Sequence, residues 1–168
     1  ADVYTVVACT NRAKGARGFS AFIVEKGTPG FSFGKKENKM GIRASATSEL
    51  VFEDCRIPRE NLLAREGMGF IVAMKTLDRT RPGVAAQALG IAQGALDEAV
   101  KYSTQRVQFG KPISENQAVQ HILADMAIQI EASRALVYQT CRIIDAGEKN
   151  FSKESAICKV MASDAAMR

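Results

Sequence analysis

Apolar and polar residues follow two different rhythms along this chain, one for each half. The β-branched run Val3–Cys9, a second apolar run at residues 19–24 and a shorter alternating one at residues 49–57 predict three strands. Thr28-Pro29-Gly30 and Lys39-Met40-Gly41 are turn signals between them, and the tripeptide after Pro58 closes this half. Residues 64–69 form a junction, and from Phe70 onward the period becomes helical. A short first helix is expected to break at Leu77 or Asp78, and a long one then runs to about Gln105. Pro82 then falls within about the first turn of the long helix, where a missing N–H costs little.

The small residues Ala85, Ala86, Ala88, Gly90, Ala92, Gly94 and Ala95 crowd that helix and predict close helix–helix approach. After Ser114, Val119, Ile122, Leu123, Met126, Ile130, Val137, Cys141 and Ile144 recur at three- and four-residue steps as one broad apolar stripe. Gly147 is placed to end this helix, and Ser152 to cap a further one running to the last residue. The expected class is α+β: antiparallel strands followed by a helical bundle. The final helix is apolar with no further helix to pair with, so the chain reads as a piece of a longer protein.

Composition narrows the class. With 168 residues, 46% of them hydrophobic, the chain can bury a core. No apolar run approaches the ~20 residues that span a bilayer, and the N-terminal residues do not read as a signal peptide. Cys9, Cys55, Cys141 and Cys158 are scattered without metal-ligand spacing and read as small buried hydrophobes in a reducing compartment. A formal charge of +5 spread over the chain favours a small anionic ligand over a nucleic-acid groove.

Chemistry concentrates in RVQFGKPISENQ, residues 106–117, which joins two long helical patterns. Ser114 to Gln117 reads as a capping box, the serine taking the N3 N–H and Gln117 reaching back. A guanidinium beside fresh helix-start N–H groups makes a seat for a diphosphate. The same residues also suit an ordinary helical hairpin with a surface arginine, with Phe109 as a core plug and Gln117 only capping.

The R-x-Q-F-G-K run with its following glutamine resembles the helix–helix connection of the acyl-CoA dehydrogenase family. The resemblance continues through GFSAFIVEKGTPGFSFGKKENKMGIRASATSELVFEDCRIPRENLL and GMGFIVAMKTLDRTRPGVAAQALGIAQGALDEA, covering nearly the whole chain. It implies that residues 1–60 are the later part of a middle β-domain and residues 61–168 the first helices of a C-terminal four-helix bundle. It further implies FAD as cofactor, an acyl-CoA substrate, electron-transfer flavoprotein as acceptor, and a homotetramer built as a dimer of dimers. In that family a carboxylate removes the α-proton while hydride leaves the β-carbon for the flavin, giving a trans-2-enoyl-CoA.

Carried onto this chain, the resemblance assigns Arg106 to the FAD pyrophosphate, typically in a partner subunit's site. Gln108, Phe109 and Gln117 would flank the same cofactor. Asp78 and Arg81, three residues apart on one helix face, match the D-x-x-R segment that holds coenzyme A. They also suit a plain N-cap aspartate paired with a first-turn arginine. No residue present is expected to be catalytic. Some relatives carry the base near the start of this helix, but the matching position is Thr80, and a threonine hydroxyl is far too weak a base. The base is expected beyond Arg168, so the chain by itself is expected to be inactive.

The remaining signals carry less. His121 has no partner pattern and reads as structural. Gly67-Met68-Gly69 lacks the rest of a phosphate loop and reads as a hinge. Residues 35–39 read as a solvated turn in which Glu37 could meet the electron acceptor. An acyl-CoA oxidase on the same scaffold and a noncatalytic relative that binds nucleic acid are the alternatives. A short- or medium-chain acyl group is expected, with a cytoplasmic location or the mitochondrial matrix in a eukaryote.

Overall fold

The computed structural model describes residues 1–168, which divide into two compact units, Ala1–Lys75 and Thr76–Arg168. The class is α+β: small antiparallel sheets and three long helices.

In the first unit, β1 (Val3–Cys9) pairs antiparallel with β2 (Phe19–Glu25) from Val3↔Glu25 to Cys9↔Phe19, and β5 (Leu62–Leu63) adds to the other edge of β2. Being central, β2 is covered on both faces, with Ser20, Ala21 and Val24 buried. A second sheet pairs β3 (Phe31–Lys36) with β4 (Ser48–Phe52). Tyr4 packs edge-on against Phe31 at 5.2 Å between ring centroids, and Phe31 stacks on Phe52 at 4.9 Å, so aromatics tie the two sheets together. β3 is a strand that residue pattern did not predict, because Gly34 and two lysines dilute its alternation. β4 stops at Phe52, short of the expected residue 57, because Asp54 takes a left-handed backbone (φ 48°) that no strand can continue through.

Ser20 anchors the exit from this unit. Its hydroxyl accepts from the Gly67 N–H at 3.0 Å and bonds the Thr10 hydroxyl at 2.8 Å. A side chain at Gly69 would lie 2.5 Å from the Ser20 backbone carbonyl carbon. The glycines at 67 and 69 therefore serve close approach, and the Gly-Met-Gly stretch is clamped rather than hinged.

α1 (Gly69–Gln105) is one unbroken helix, which corrects the expected break at Leu77 or Asp78; Pro82 sits well inside it. A proline there strips the carbonyl four residues back of its N–H donor. That carbonyl is Asp78's, and the Ser155 hydroxyl donates to it at 2.7 Å, so the helix survives. α2 (Gln117–Asp145) and α3 (Ser152–Met167) complete the second unit.

Buried residues are Ala85, Leu89 and Ala92 on α1, Ile130, Ser133, Val137 and Thr140 on α2, and Ser155, Cys158 and Ala162 on α3. Ala85, Val137, Cys158 and Ala162 form one apolar cluster, and Leu89, Ala92 and Ile130 a second. Each helix's set repeats at three or four residues, as a buried helix face must. Close approach on α1 rests on Ala85, Ala88 and Ala92, whereas a side chain at Gly90 or Gly94 would meet nothing within 4 Å. On α2 the buried line includes two hydroxyls that hydropathy overlooks, while Ile122 is exposed. Thr140 donates to the Leu136 carbonyl at 2.8 Å, so its polarity is satisfied within the helix.

α2 ends at Gly147 as predicted. Gly147 is left-handed (φ 78°), its N–H donates to Ile144 O at 3.0 Å, and the Glu148 N–H reaches Ile143 O at 3.3 Å. These two bonds form a Schellman close. The helix starts differ from expectation. Ser114 lies in a one-turn 3-10 segment (Ile113–Glu115), and the N-cap of α2 is Asn116, whose side chain makes no capping bond. Ser152 is the first residue of α3 rather than its cap, which is Phe151.

Candidate functional site

Arg106 follows directly on α1, its N–H completing the helix on Tyr102 O at 2.9 Å. Two short strands then form a hairpin, β6 (Val107–Gln108) against β7 (Lys111–Pro112), with Val107 opposite Pro112 and Gln108 opposite Lys111. The turn between them is Phe109-Gly110, both left-handed at φ 52° and 80°. Two consecutive positive values give the type I′ turn that suits a two-residue hairpin loop. The Ile113 N–H donates to Arg106 O at 2.9 Å and closes the elbow before α2 begins.

This elbow presents its functional side chains outward. Arg106, Gln108, Phe109 and Gln117 are all exposed. The Arg106 guanidinium makes no hydrogen bond or ion pair within the chain, and Lys111 adds a second exposed cation in the same hairpin. Phe109 is 99% exposed and touches no other ring, so it is not a core plug. A bulky residue in the left-handed region is uncommon and costs about 1–2 kcal/mol. Gln117 is the first residue of α2, and no capping box forms, so capping is not its role. Free positive charge in the hairpin between two helices suits a diphosphate, and an unclaimed aromatic face suits a flat ring.

The second cluster is built from α1 and α3. Asp78 Oδ1 holds Arg81 Nη1 at 2.7 Å, with the arginine side chain 34% exposed and the aspartate 18%. The Ser152 hydroxyl donates to the other carboxylate oxygen, Oδ2. With Ser155 on the main-chain carbonyl, Asp78 is gripped at three atoms. Sequence gives Ser152 only as a helix cap; the one signal for Ser155 is Pro82 inside a helix, which leaves the Asp78 carbonyl in need of a donor. Thr80 is exposed, and its hydroxyl turns back to Leu77 O at 3.3 Å.

The two clusters do not converge. From Arg81 to Arg106 the α1 rod rises roughly 40 Å at about 1.5 Å per residue.

Other sequence candidates resolve simply. His121 is exposed, outside the helical core. No group of His, Cys, Asp and Glu stands where it could hold a metal ion. Cys158 is buried and Cys55 and Cys141 are half-buried, but Cys9 is exposed, which corrects its reading as a buried hydrophobe. Burial pushes the Cys158 thiol above its ordinary pKa and neighbouring Cys141 adds to this, against hydrogen bonds from Thr140 and the Lys159 backbone. Glu37 is exposed in the loop after β3, its N–H donating to Thr47 O at 2.8 Å. No helix is long and apolar enough to cross a membrane.

Comparison with known proteins covers both units. The family model described as acyl-CoA dehydrogenase, C-terminal domain, matches residues 67–168, and the one described as acyl-CoA dehydrogenase, middle domain, matches residues 1–55. The short-chain specific acyl-CoA dehydrogenase of Megasphaera elsdenii is 57% identical over 168 residues, all of this chain and 44% of the relative. The solved structure of butyryl-CoA dehydrogenase from that organism superposes with a TM-score of 0.96 at 57% identity, over 100% of this chain and 44% of that one. A structure described as the electron transferring flavoprotein of Acidaminococcus fermentans matches with a TM-score of 0.95 at 57% identity, over 99% and 44% of the two chains. The chain thus spans under half the length of the relatives it matches.

Proposed function

This chain belongs to the acyl-CoA dehydrogenase family, and from that premise we propose that it is part of a flavin-dependent dehydrogenase oxidising short- or medium-chain acyl-CoA to trans-2-enoyl-CoA. Residues 1–60 are then the later part of the middle β-domain, and residues 61–168 the first helices of the bundle. The observation that carries the reading is the elbow: an unpaired Arg106 and a fully exposed, left-handed Phe109, both idle within the chain. Idle charge and idle aromatic surface fit a dinucleotide. Arg106 would bind the FAD pyrophosphate, with Gln108, Phe109 and Gln117 against the rest of the cofactor.

When bound, the flavin supplies the oxidation of the substrate's α,β-bond. This chain's own part is grip and placement. Arg81, held by Asp78, keeps guanidinium donors free for the anionic or carbonyl groups of coenzyme A. Thr80 stands where some relatives carry the base, and no residue of this chain is assigned that role. The 168-residue chain alone is expected to show no turnover.

Electron-transfer flavoprotein is the acceptor best supported by the 57% identical structure described under that name. Glu37 on the first unit is the candidate contact. A homotetramer arranged as a dimer of dimers, located in the cytoplasm or the mitochondrial matrix, completes the reading.

The test is flavin retention in the full-length protein. Arg106→Ala is expected to lower FAD occupancy at least severalfold while shifting thermal unfolding little once excess FAD is supplied. Equal occupancy in variant and wild type would remove the elbow from the cofactor site. Bleaching of the flavin band by butyryl-CoA tests the activity itself.

A further inference from the structure

We propose that Ser152, the first residue of α3, is a positioning residue for the coenzyme A grip; the inference rests on the assignment of Asp78 and Arg81 to that ligand. An aspartate joined to one arginine through one oxygen can still rotate, and the guanidinium wanders with it. Here the Ser152 hydroxyl takes Oδ2 while Arg81 takes Oδ1, so the carboxylate plane is fixed from two sides. The occupied oxygens also turn the aspartate from a competitor for ligand donors into a holder of the arginine. Arg81 spends one of its five donors on Asp78, and its side chain remains one-third exposed. The remaining donors can meet an anionic or carbonyl group.

Ser155, one turn further along α3, has a different task. It donates to the Asp78 main-chain carbonyl and repairs the helix at Pro82 without touching the carboxylate. The two serines therefore separate placement from fold, and substitutions at each should be distinguishable.

The experiment titrates the full-length flavoprotein with free coenzyme A and with butyryl-CoA, comparing wild type with Ser152→Ala, Ser152→Thr, Ser155→Ala and Arg81→Ala. Ser152→Ala is expected to weaken coenzyme A binding and raise KM about three- to tenfold, the scale of one ordinary net hydrogen bond. The kcat, flavin content and thermal midpoint should stay near wild type, and Ser152→Thr should restore the affinity. Unchanged affinity in Ser152→Ala, with Arg81→Ala clearly weakened, overturns the role of Ser152 and leaves the grip intact. Loss of affinity that merely tracks unfolding, as Ser155→Ala would show it, and that threonine does not rescue also overturns it. If Arg81→Ala binds coenzyme A as tightly as wild type, the grip itself is misassigned and the inference falls with it.

Discussion

Ser155 donates its hydroxyl to the main-chain carbonyl of Asp78 at 2.7 Å, and that carbonyl is the one Pro82 leaves without a helical donor. A buried serine on α3 thus completes the backbone of α1 across 77 positions of sequence. Ser155→Ala should cost about 1–3 kcal/mol, because a buried acceptor is left unsatisfied. Restoring the donor locally should relieve that cost. In a Pro82→Ala background the same serine substitution is expected to lose less than half as much, measured by a urea double-mutant cycle. Strict additivity would show that the two sites do not share the carbonyl.

Phe109 carries an opposite tension between stability and binding. Its left-handed backbone and complete exposure give the fold no visible return. Phe109→Gly is expected to leave stability unchanged or raise it by up to about 1 kcal/mol, the relief of strain exceeding the entropy that glycine adds to the unfolded chain. Flavin affinity of the full-length protein should fall in the same variant. Tighter flavin binding by the glycine variant would contradict the stacking role.

Two glycines separate crowding from helix propensity. At Gly69 a methyl group would press on the Ser20 backbone at 2.5 Å, where nothing flexible can yield. Gly69→Ala is expected to destabilise by on the order of 2–3 kcal/mol. At Gly90 the space is open, so Gly90→Ala should stabilise by roughly 0.5–1 kcal/mol through helix propensity alone. Denaturant midpoints of the two variants should move in opposite directions.

Cys158 gives a pH signature. Its raised pKa means the folded chain keeps the thiol proton at pH values where the unfolded chain has lost it. The stability it contributes is full below the ordinary thiol pKa of about 8.5 and declines as pH rises through and beyond that value. Unfolding midpoints measured from pH 8 to 10 should fall more steeply in wild type than in Cys158→Ala. Iodoacetamide should label exposed Cys9 well before Cys158.

The parts of this fold readable from sequence are those whose cause is local. Val3–Cys9 forms a strand because β-branched residues run together, and Gly147 ends α2 because only glycine enters the left-handed close cheaply. The misread parts have distant causes. Pro82 signals a helix start by every local rule, yet its compensating donor lies on another helix. Ser114 has the spacing of a capping box, but Pro112 leads into a 3-10 turn that moves the helix start to Gln117. β3 is a strand because Phe31 and Phe33 face Phe52 and Leu50, a pairing that no short window contains. At the candidate site, residue types and the D-x-x-R spacing were visible in advance. The serines that hold Asp78 were not, since a serine's partner is decided by packing.

The length of α1 between its two arginines has a genetic consequence. The two grips stand roughly 40 Å apart along one rod. If Arg106 serves a partner subunit's cofactor, as the family resemblance implies, each chain lends one end to its own reaction centre and the other to a neighbour's. An allele crippled at Arg81 and another crippled at Arg106, each impaired alone, should therefore complement when co-expressed. Mixed assemblies would contain some centres with both arginines intact, and partial activity would reappear without any revertant.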